Sequence, residues 1–462
     1  MALKIYNSLT KQKEDFKPIE DNKVKMYACG ITVSGEAHIG HAIQAMVFDI
    51  VRKYLEKKGY DVTYARNYTD VDDKIIINAN KLGINPMDFA EENLAKIEKE
   101  MKRLGVDDAT MTLRATEHIT RIIEFVSKLI DKGHAYATDN GDVYFAVETF
   151  SGYGKLSNRN LDDAMSGVRI DTEENKRNPL DFALWKSAKP NEIYWDSPWG
   201  KGRPGWHIEC SVMNYYNLGP SIDIHGGGRD LLFPHHENEI AQTESLTNQD
   251  FAKYWMHNGL VKVNGQKMSK SLNNGILLKD LLDKYDNEVI RFALLQTNYK
   301  NDINITDGLF DNAKAHLLSF YEILSKVENM GKNSEFNPQI DLEFNEAMDD
   351  DFNTALAIAN LFGYFKELAH KVNTNDTSAI ADANAIVHAY KLLGLFKKAP
   401  SEFLEANKES LDIPEDIKKM AEDRWQAKLN KDWTTADSLR QELLSKGYVI
   451  KDSKDGYEIV KQ

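Results

Sequence analysis

The chain has 462 residues, 42% hydrophobic and 28% charged, with two cysteines and a formal net charge of −14 at pH 7. These values indicate a globular protein of about three domains and exclude a disulfide framework. The negative charge argues against indiscriminate coating of nucleic acid, so any RNA binding must use local basic patches. Because the sequence has neither an apolar run of about 18 residues nor an apolar N-terminal segment, we expect a cytoplasmic protein without a membrane partner.

The first part of the chain alternates between strand and helix patterns. A β-branched and aromatic run at 24–33 predicts a buried strand, and apolar residues three or four apart over 42–58 predict a helix. The string HIGH at 38–41 lies between them. Strand, glycine-bearing loop and helix is the geometry that directs unpaired backbone N–H groups at an anion. The pattern therefore predicts an α/β fold with a parallel sheet and an anion site.

A second string, KMSKS at 267–271, follows an Asn264-Gly265 turn and carries two lysines on a flexible segment. In the first string, His38 and His41 are three residues apart, so both imidazoles can face one ligand. Imidazoles, a helix N-terminus and mobile ammonium groups suit the binding of a triphosphate whose α-phosphorus is attacked. Either string alone would be an ordinary surface feature. Together, in this order, they resemble the paired signatures of class I aminoacyl-tRNA synthetases.

The later segments change in character. Residues 116–132 predict a helix, the Asn140-Gly141 pair predicts a hairpin, and strand patterns return at 222–225 and 254–263. From 307 to 396 the pattern is almost wholly helical. The acidic run at 349–351 is interpreted as a charge cluster at a helix N-terminus rather than a metal site.

A possible metal site is built from distant segments. Cys29 and Cys210 are the only thiols, and His235 and Glu239 are four residues apart on a predicted helix, so their side chains converge. Two thiolates, an imidazole and a carboxylate are a plausible zinc ligand set. The alternative is that both cysteines are simply small buried apolar side chains.

The whole chain is similar to the cysteinyl-tRNA synthetase family. The motifs that carry this resemblance are CGITV at 29–33, RNYTDVDDK at 66–74, GWHIEC at 205–210, HGGG at 225–228 and MDDDFN at 348–353. The resemblance implies a Rossmann-like parallel-sheet catalytic domain with an insertion, followed by a helical bundle and a small C-terminal α+β domain. The boundaries that we predict are 1–115 and 199–265 for the catalytic domain, 116–198 for the connective insertion, 266–306 for the KMSKS loop and stem-contact region, 307–398 for the helical bundle, 399–414 for a linker and 415–462 for an anticodon-binding domain.

The resemblance also implies an activity: ATP-dependent attachment of L-cysteine to tRNA(Cys) through cysteinyl-adenylate, by a monomer with one Zn²⁺ per chain and Mg²⁺ accompanying ATP. The zinc would select the cysteine thiolate, because a soft metal distinguishes sulfur from a serine hydroxyl better than an apolar pocket does. The residues that the resemblance implies are His38, His41, Lys267 and Lys270 for catalysis, His38, Gly40, His41 and Lys270 for ATP, Thr32, Trp206 and His225 for cysteine, Cys29, Cys210, His235 and Glu239 for zinc, and Arg424, Lys428, Trp433 and Asp437 for tRNA.

Lys428 departs from the arginine that is usual in the family. Basic side chains beside tryptophans suit unstacked RNA bases, but the last two helices could equally be a solvated hairpin whose tryptophans pack together.

Two other functions remain open from sequence. One is a tRNA-independent cysteine ligase of the same fold, but such an enzyme would not need residues 415–462. A non-catalytic zinc-stabilised RNA-binding protein would have no use for an intact KMSKS string.

Overall fold

The computed structural model describes residues 2–159, 175–190, 192–268, 272, 274–408, 414–452 and 456–461. The chain forms two compact units, Met1–Pro400 and Ser401–Gln462. The strands of the described residues are β1 (Lys4–Asn7), β2 (Gln12–Asp15), β3 (Lys23–Thr32), β4 (Asp61–Thr69), β5 (Met111–Arg114), β6 (Ala135–Ala137), β7 (Val143–Phe145), β8 (Phe182–Ser187), β9 (Gly202–Pro204), β10 (Ile222–Gly228), β11 (Ala252–Asn258), β12 (Val261–Val263), β13 (Gln266–Lys267), β14 (Ile303–Ile305), β15 (Tyr448–Asp452) and β16 (Tyr457–Lys461).

The α-helices of the described residues are α1 (Ile39–Lys57), α2 (Asp73–Leu82), α3 (Pro86–Leu104), α4 (Ile119–Asp131), α5 (Trp206–Leu218), α6 (Glu237–Thr247), α7 (Leu278–Lys284), α8 (Asn287–Leu295), α9 (Leu309–Met330), α10 (Pro338–Asp349), α11 (Thr354–Asn373), α12 (Ala379–Tyr390), α13 (Pro400–Ala406), α14 (Glu415–Leu429) and α15 (Trp433–Ser445). Among these helices, none is both long enough and apolar enough to cross a lipid bilayer.

A five-stranded parallel sheet lies at the centre of the first unit, in the order β11-β10-β3-β4-β5. The chain leaves β3 through α1 and returns as β4 on one side, whereas β10 and β11 extend the sheet on the other side. A sheet of this kind has its binding crevice where the strand order reverses, at the carboxyl ends of the strands. The ends of β3 and β10 are therefore the expected position of a site. The predicted strand at 24–33 and helix at 42–58 are confirmed.

The predicted strand at 254–263 is two strands. Gly259 separates β11 from β12, and a Cβ atom there would lie 2.0 Å from the Asn301 carbonyl oxygen. Close passage of the 301 backbone thus breaks the run, and β12 pairs with β14 instead of the central sheet.

The segment between β5 and α5 holds a separate four-stranded antiparallel sheet, in the order β6-β7-β8-β9. The predicted helix and the Asn140-Gly141 hairpin are confirmed as α4 and the β6–β7 turn. Side chains of α4 and this sheet share a buried core with α5. That core attaches the insertion to the helix that carries Cys210.

The interpretation of 349–351 as a helix N-terminal cluster is wrong. Asp349 ends α10 and accepts a hydrogen bond from the Tyr54 hydroxyl at 2.8 Å. Asp351 is fully buried and accepts from the Tyr6 amide at 2.8 Å, the Tyr299 hydroxyl at 2.8 Å and the Lys300 ammonium at 2.5 Å. Asp349 thus connects the helical region to α1, and Asp351 connects it to the N-terminal hairpin and to the segment after α8.

The second unit, Ser401–Gln462, contains α14, α15 and the β15–β16 hairpin. Its core is a small apolar cluster formed by Ile417, Ala421, Leu443, Tyr448 and Ile450. The two helices expected near the end of the chain are confirmed, and a strand hairpin follows them.

Candidate active site

Four side chains from three segments converge at the carboxyl end of the central sheet. One ligand atom from each of Cys29, Cys210, His235 and Glu239 lies within 4.8 Å of every other, and all four residues are buried. The two sulfurs are 3.7 Å apart, the Cys29 sulfur is 3.3 Å from Glu239 Oε1, and His235 Nε2 is 3.0 Å from the same oxygen. The structure therefore brings the four predicted zinc ligands together, with the donor atoms and the spacing of a metal site.

The backbone around Cys29 explains how this residue reaches the cluster. The β3–β4 pairing shifts register between Ala28 and Ile31. At Gly30, a Cβ atom would lie 1.5 Å from the Asn67 carbonyl oxygen. The Asn67 side chain accepts a hydrogen bond from the Gly30 amide at 2.9 Å. Only glycine permits this close approach, and the resulting irregularity lies directly beside Cys29.

The electrostatics of the cluster follow from burial and proximity. Burial, followed by the neighbouring Cys210, raises the pKa of Cys29 well above its ordinary value. The hydrogen bond from Cys29 is the largest cause that lowers the pKa of Cys210. Burial opposes protonation of His235, but Glu239 and Cys210 outweigh it and raise its pKa to about 10. Buried charges of this kind require compensation by partners or by a metal ion.

A second set of ligand atoms adjoins the first. Cys29, His225, His236 and Glu239 also lie within 4.8 Å of one another, and His225 Nε2 is 3.2 Å from Glu239 Oε2. His236 Nδ1 lies 2.8 Å from His257 Nε2. Sequence reasoning did not assign roles to His236 and His257. In the sequence, this second set is indicated only by the adjacent histidines at 235 and 236, and adjacency does not show which ring faces the Glu239 carboxylate.

Two of the three predicted cysteine-binding residues, Trp206 and His225, lie against this cluster. Trp206 stacks on His235 with ring centroids 4.3 Å apart and keeps 40% of its surface exposed. His225 is fully buried and stacks on Tyr27 at 5.3 Å. Thr32 ends β3, opposite Thr69 of β4. A partly exposed indole therefore lies directly against one buried member of the metal-type cluster.

A cavity of about 240 Å³ adjoins the N-terminus of α1. Its lining includes His38, Gly40, His41 and Lys267 of the two predicted strings. The two imidazole rings stack with centroids 3.6 Å apart, and the His38 amide donates to His41 Nδ1 at 3.3 Å. The strings are thus adjacent in space, with the helix N-terminus that favours anions. Lys270 lies outside the described residues.

In the second unit, the predicted tRNA-binding residues differ in accessibility. Arg424 is 5% exposed and forms two hydrogen bonds to Asp452, of 2.7 and 2.9 Å. Lys428 lies 2.9 Å from the same carboxylate. Trp433 is 58% exposed, and Asp437 is exposed. The structure therefore places Trp433 and Asp437 at the surface and engages both basic residues within the unit.

Comparisons with known proteins match this chain to two family models and to full-length relatives. The family described as "tRNA synthetases class I (C) catalytic domain" matches residues 15–315, and the "DALR domain" matches 343–397. The Cysteine--tRNA ligase of Thermodesulfovibrio yellowstonii is 45% identical over 98% of both chains, and that of Trichlorobacter lovleyi is 46% identical over 99% of both.

Solved structures agree in fold. A methionyl-tRNA synthetase of Mycobacterium tuberculosis has a TM-score of 0.60 at 13% identity, covering 83% of this chain and 93% of its own. The LeuRS of Agrobacterium radiobacter, solved in a ternary complex with tRNA and LeuAMS, has a TM-score of 0.61 at 12% identity, and the match covers 86% of each chain. The site geometry, the matched domains and the full-length relatives place this chain in the cysteine--tRNA ligase family of class I tRNA synthetases.

Proposed function

We propose that this chain uses ATP to attach L-cysteine to tRNA(Cys), through a cysteinyl-adenylate. The observation that carries the proposal is the position of the metal-type cluster beside the cavity lined by both signature strings. The substrate carboxylate attacks the α-phosphorus of ATP, and pyrophosphate leaves. A hydroxyl of the terminal adenosine then attacks the acyl carbonyl of the adenylate, the ester forms and AMP leaves.

No side-chain nucleophile is required, because the attacking group belongs to the substrate. His38 and His41 at the α1 N-terminus stabilise charge that develops on the reacting phosphate. Lys267 lines the same cavity, and we assign Lys267 and Lys270 to the β and γ phosphates. The enzyme acts by positioning and by electrostatic stabilisation.

The residues present fit a zinc ion. Cys29, Cys210, His235 and Glu239 offer sulfur, nitrogen and oxygen donors at the spacing of a single ion. When bound, zinc supplies a soft acceptor for the substrate sulfur, which a serine hydroxyl matches poorly at neutral pH. For Mg²⁺, the ATP phosphates are the expected ligands, and Asp230 is a carboxylate that lines the cavity. Trp206 and His225 would border the cysteine side chain.

A direct test is ATP–pyrophosphate exchange with cysteine or serine, run beside charging of tRNA(Cys). The proposal predicts cysteine-dependent exchange, weak exchange with serine and charging of tRNA(Cys). Exchange without charging would favour the tRNA-independent ligase. Absence of both activities, in folded zinc-loaded protein, would favour the non-catalytic alternative. We further propose a cytoplasmic monomer, for which light scattering tests the oligomeric state.

A further inference from the structure

A second polar cavity, of about 360 Å³, lies beside the cavity lined by the signature strings. Its polar lining residues are Ser8, Lys11, Ser157, Arg229, His257 and Lys300. No aspartate or glutamate is among the described residues that line it, although the chain carries a net charge of −14. Three cationic side chains and the hydroxyls of two serines, together with Tyr6, surround one cavity and form an environment for an anion.

The two cavities lie on opposite sides of the same strand ends. At the end of β10, Gly228 and Asp230 line the first cavity and Arg229 lines the second. At the end of β11, Asn258 lines the first and His257 the second. His257 and Asn258 are consecutive residues of β11, so their side chains point to opposite faces, whereas Arg229 and Asp230 begin a short helical turn after β10. A ligand in the second cavity is therefore separated from the first by the ends of two strands.

The second cavity also adjoins the metal-type cluster. His257 Nδ1 lies 2.8 Å from the Ser8 hydroxyl, and its Nε2 lies 2.8 Å from His236 Nδ1. His236 Nε2 is in turn 4.0 Å from Glu239 Oε1. His257 therefore lines the cavity and also contacts His236, which is the sequence neighbour of the proposed zinc ligand His235.

The three cationic side chains that line this cavity differ in their ion-pair and hydrogen-bond partners. Lys300 pairs with buried Asp351 and lies 4.4 Å from the centre of the Tyr6 ring. Arg229 pairs with Asp302, which also accepts from the Leu260 amide and lies 3.0 Å from the Lys262 ammonium. Within the described part of the chain, the Lys11 ammonium has no hydrogen-bond or ion-pair partner, so it can bind a ligand without breaking another contact.

We propose that this cavity binds the phosphodiester backbone near the acceptor end of the RNA substrate. The inference rests on the proposed function and adds a subsite to it. The RNA hydroxyl that accepts the acyl group must reach the reacting carbonyl, which lies between the nucleotide site and the cysteine site. The cavity adjoins both of these proposed sites. Lysine, arginine and serine side chains are the usual donors to backbone phosphates, and such contacts position the nucleic acid.

The test compares Lys11→Gln with Lys13→Gln as a matched control. Lys13 lies on the same hairpin, but its ammonium pairs with Asp350 at 2.6 Å and it does not line the cavity. We expect Lys11→Gln to raise the KM for tRNA(Cys) roughly fivefold, and Lys11→Gln with Arg229→Gln to raise it more than tenfold. Each lost phosphate contact should reduce the slope of log(kcat/KM) against log[salt] by about 0.7. Lys11→Arg should restore both values.

The first half-reaction distinguishes this inference from the proposed function. ATP–pyrophosphate exchange should stay within twofold of wild type in Lys11→Gln, with an unchanged KM for pyrophosphate. A raised pyrophosphate KM with a normal tRNA KM would assign the cavity to the polyphosphate and overturn the RNA subsite. A wild-type salt slope and tRNA KM in the folded double variant would also overturn it. Failure of wild-type protein to charge tRNA(Cys) would instead refute the proposed function.

Discussion

The side-chain amide of Gln44 donates a hydrogen bond to the carbonyl oxygen of Cys29. Gln44 lies on α1 and lines the cavity beside the signature strings, whereas Cys29 belongs to the metal-type cluster. One hydrogen bond therefore connects the proposed nucleotide site to the proposed cysteine site.

We predict that Gln44→Leu raises the KM for ATP and the KM for cysteine together in pyrophosphate exchange. The lost hydrogen bond leaves the Cys29 carbonyl without this donor and removes the connection to α1, which costs about 1–3 kcal/mol in a buried setting. Gln44→Glu, which retains the shape of the side chain but not the amide donor, should show the same pattern. A change confined to the ATP KM would contradict the connection.

The two sets of ligand atoms share Cys29 and Glu239, so substitution of a histidine that belongs to only one set tests which set binds the metal. Purified protein should hold about one zinc per chain, because a four-ligand set of this type fits a single ion. His235→Asn and Cys210→Ser should lose the zinc, as measured by elemental analysis, and should lose cysteine-dependent exchange. His236→Asn is the matched control and should retain the metal. If His236→Asn lost zinc while His235→Asn kept it, the second ligand set would be the correct one.

Lys270 is predicted to act in adenylate formation. Removal of one donor to developing charge costs roughly 10²–10³-fold in rate, and the loss should fall on kcat rather than on the cysteine KM. Single-turnover adenylation by Lys270→Ala measures it. Lys262→Ala is a suitable control, since Lys262 lies near the loop and pairs with Asp302. Unchanged adenylation in Lys270→Ala would refute the assignment.

Trp433 is predicted to stack on an RNA base. The side chain is 58% exposed at the start of α15, and loss of base–aromatic stacking costs about 1–3 kcal/mol. Trp433→Ala should therefore raise the tRNA KM by roughly fivefold or more without slowing pyrophosphate exchange. Leu444→Ala, an exposed apolar position on the same helix, serves as control. Equal effects of the two substitutions would indicate a stability effect instead.

Asp351 is predicted to be a major determinant of stability. Removing one partner of a buried charged network costs roughly 3 kcal/mol or more, so Asp351→Asn should lower the free energy of unfolding in urea by about that amount. Asp350→Asn is the control: its side chain and that of its partner Lys13 are 46% and 40% exposed, and such pairs contribute under about 1 kcal/mol. Similar losses in both variants would contradict the prediction.

Much of the catalytic region could be predicted because its signals are local or carried by a recognisable motif. Hydrophobic periodicity predicted β3 and α1, and the paired signatures predicted a shared cavity. Other features depend on partners that are distant in sequence. The β11–β12 break depends on the backbone at Asn301, and burial of Arg424 depends on Asp452. No pattern within α14 distinguishes an arginine that faces RNA from one that forms an internal ion pair.

The contacts of Asp351 affect how this protein can be recombined with its relatives. Asp351 belongs to the stretch that matches the DALR domain, whereas Tyr299 and Lys300 belong to the stretch that matches the catalytic domain. The two stretches are therefore not interchangeable modules, although each is recognised separately. A chimera joined between α9 and α10 would keep this buried carboxylate satisfied only if both parents supply the same tyrosine and lysine. Where one parent lacks the tyrosine or the lysine, all three residues must be transferred together.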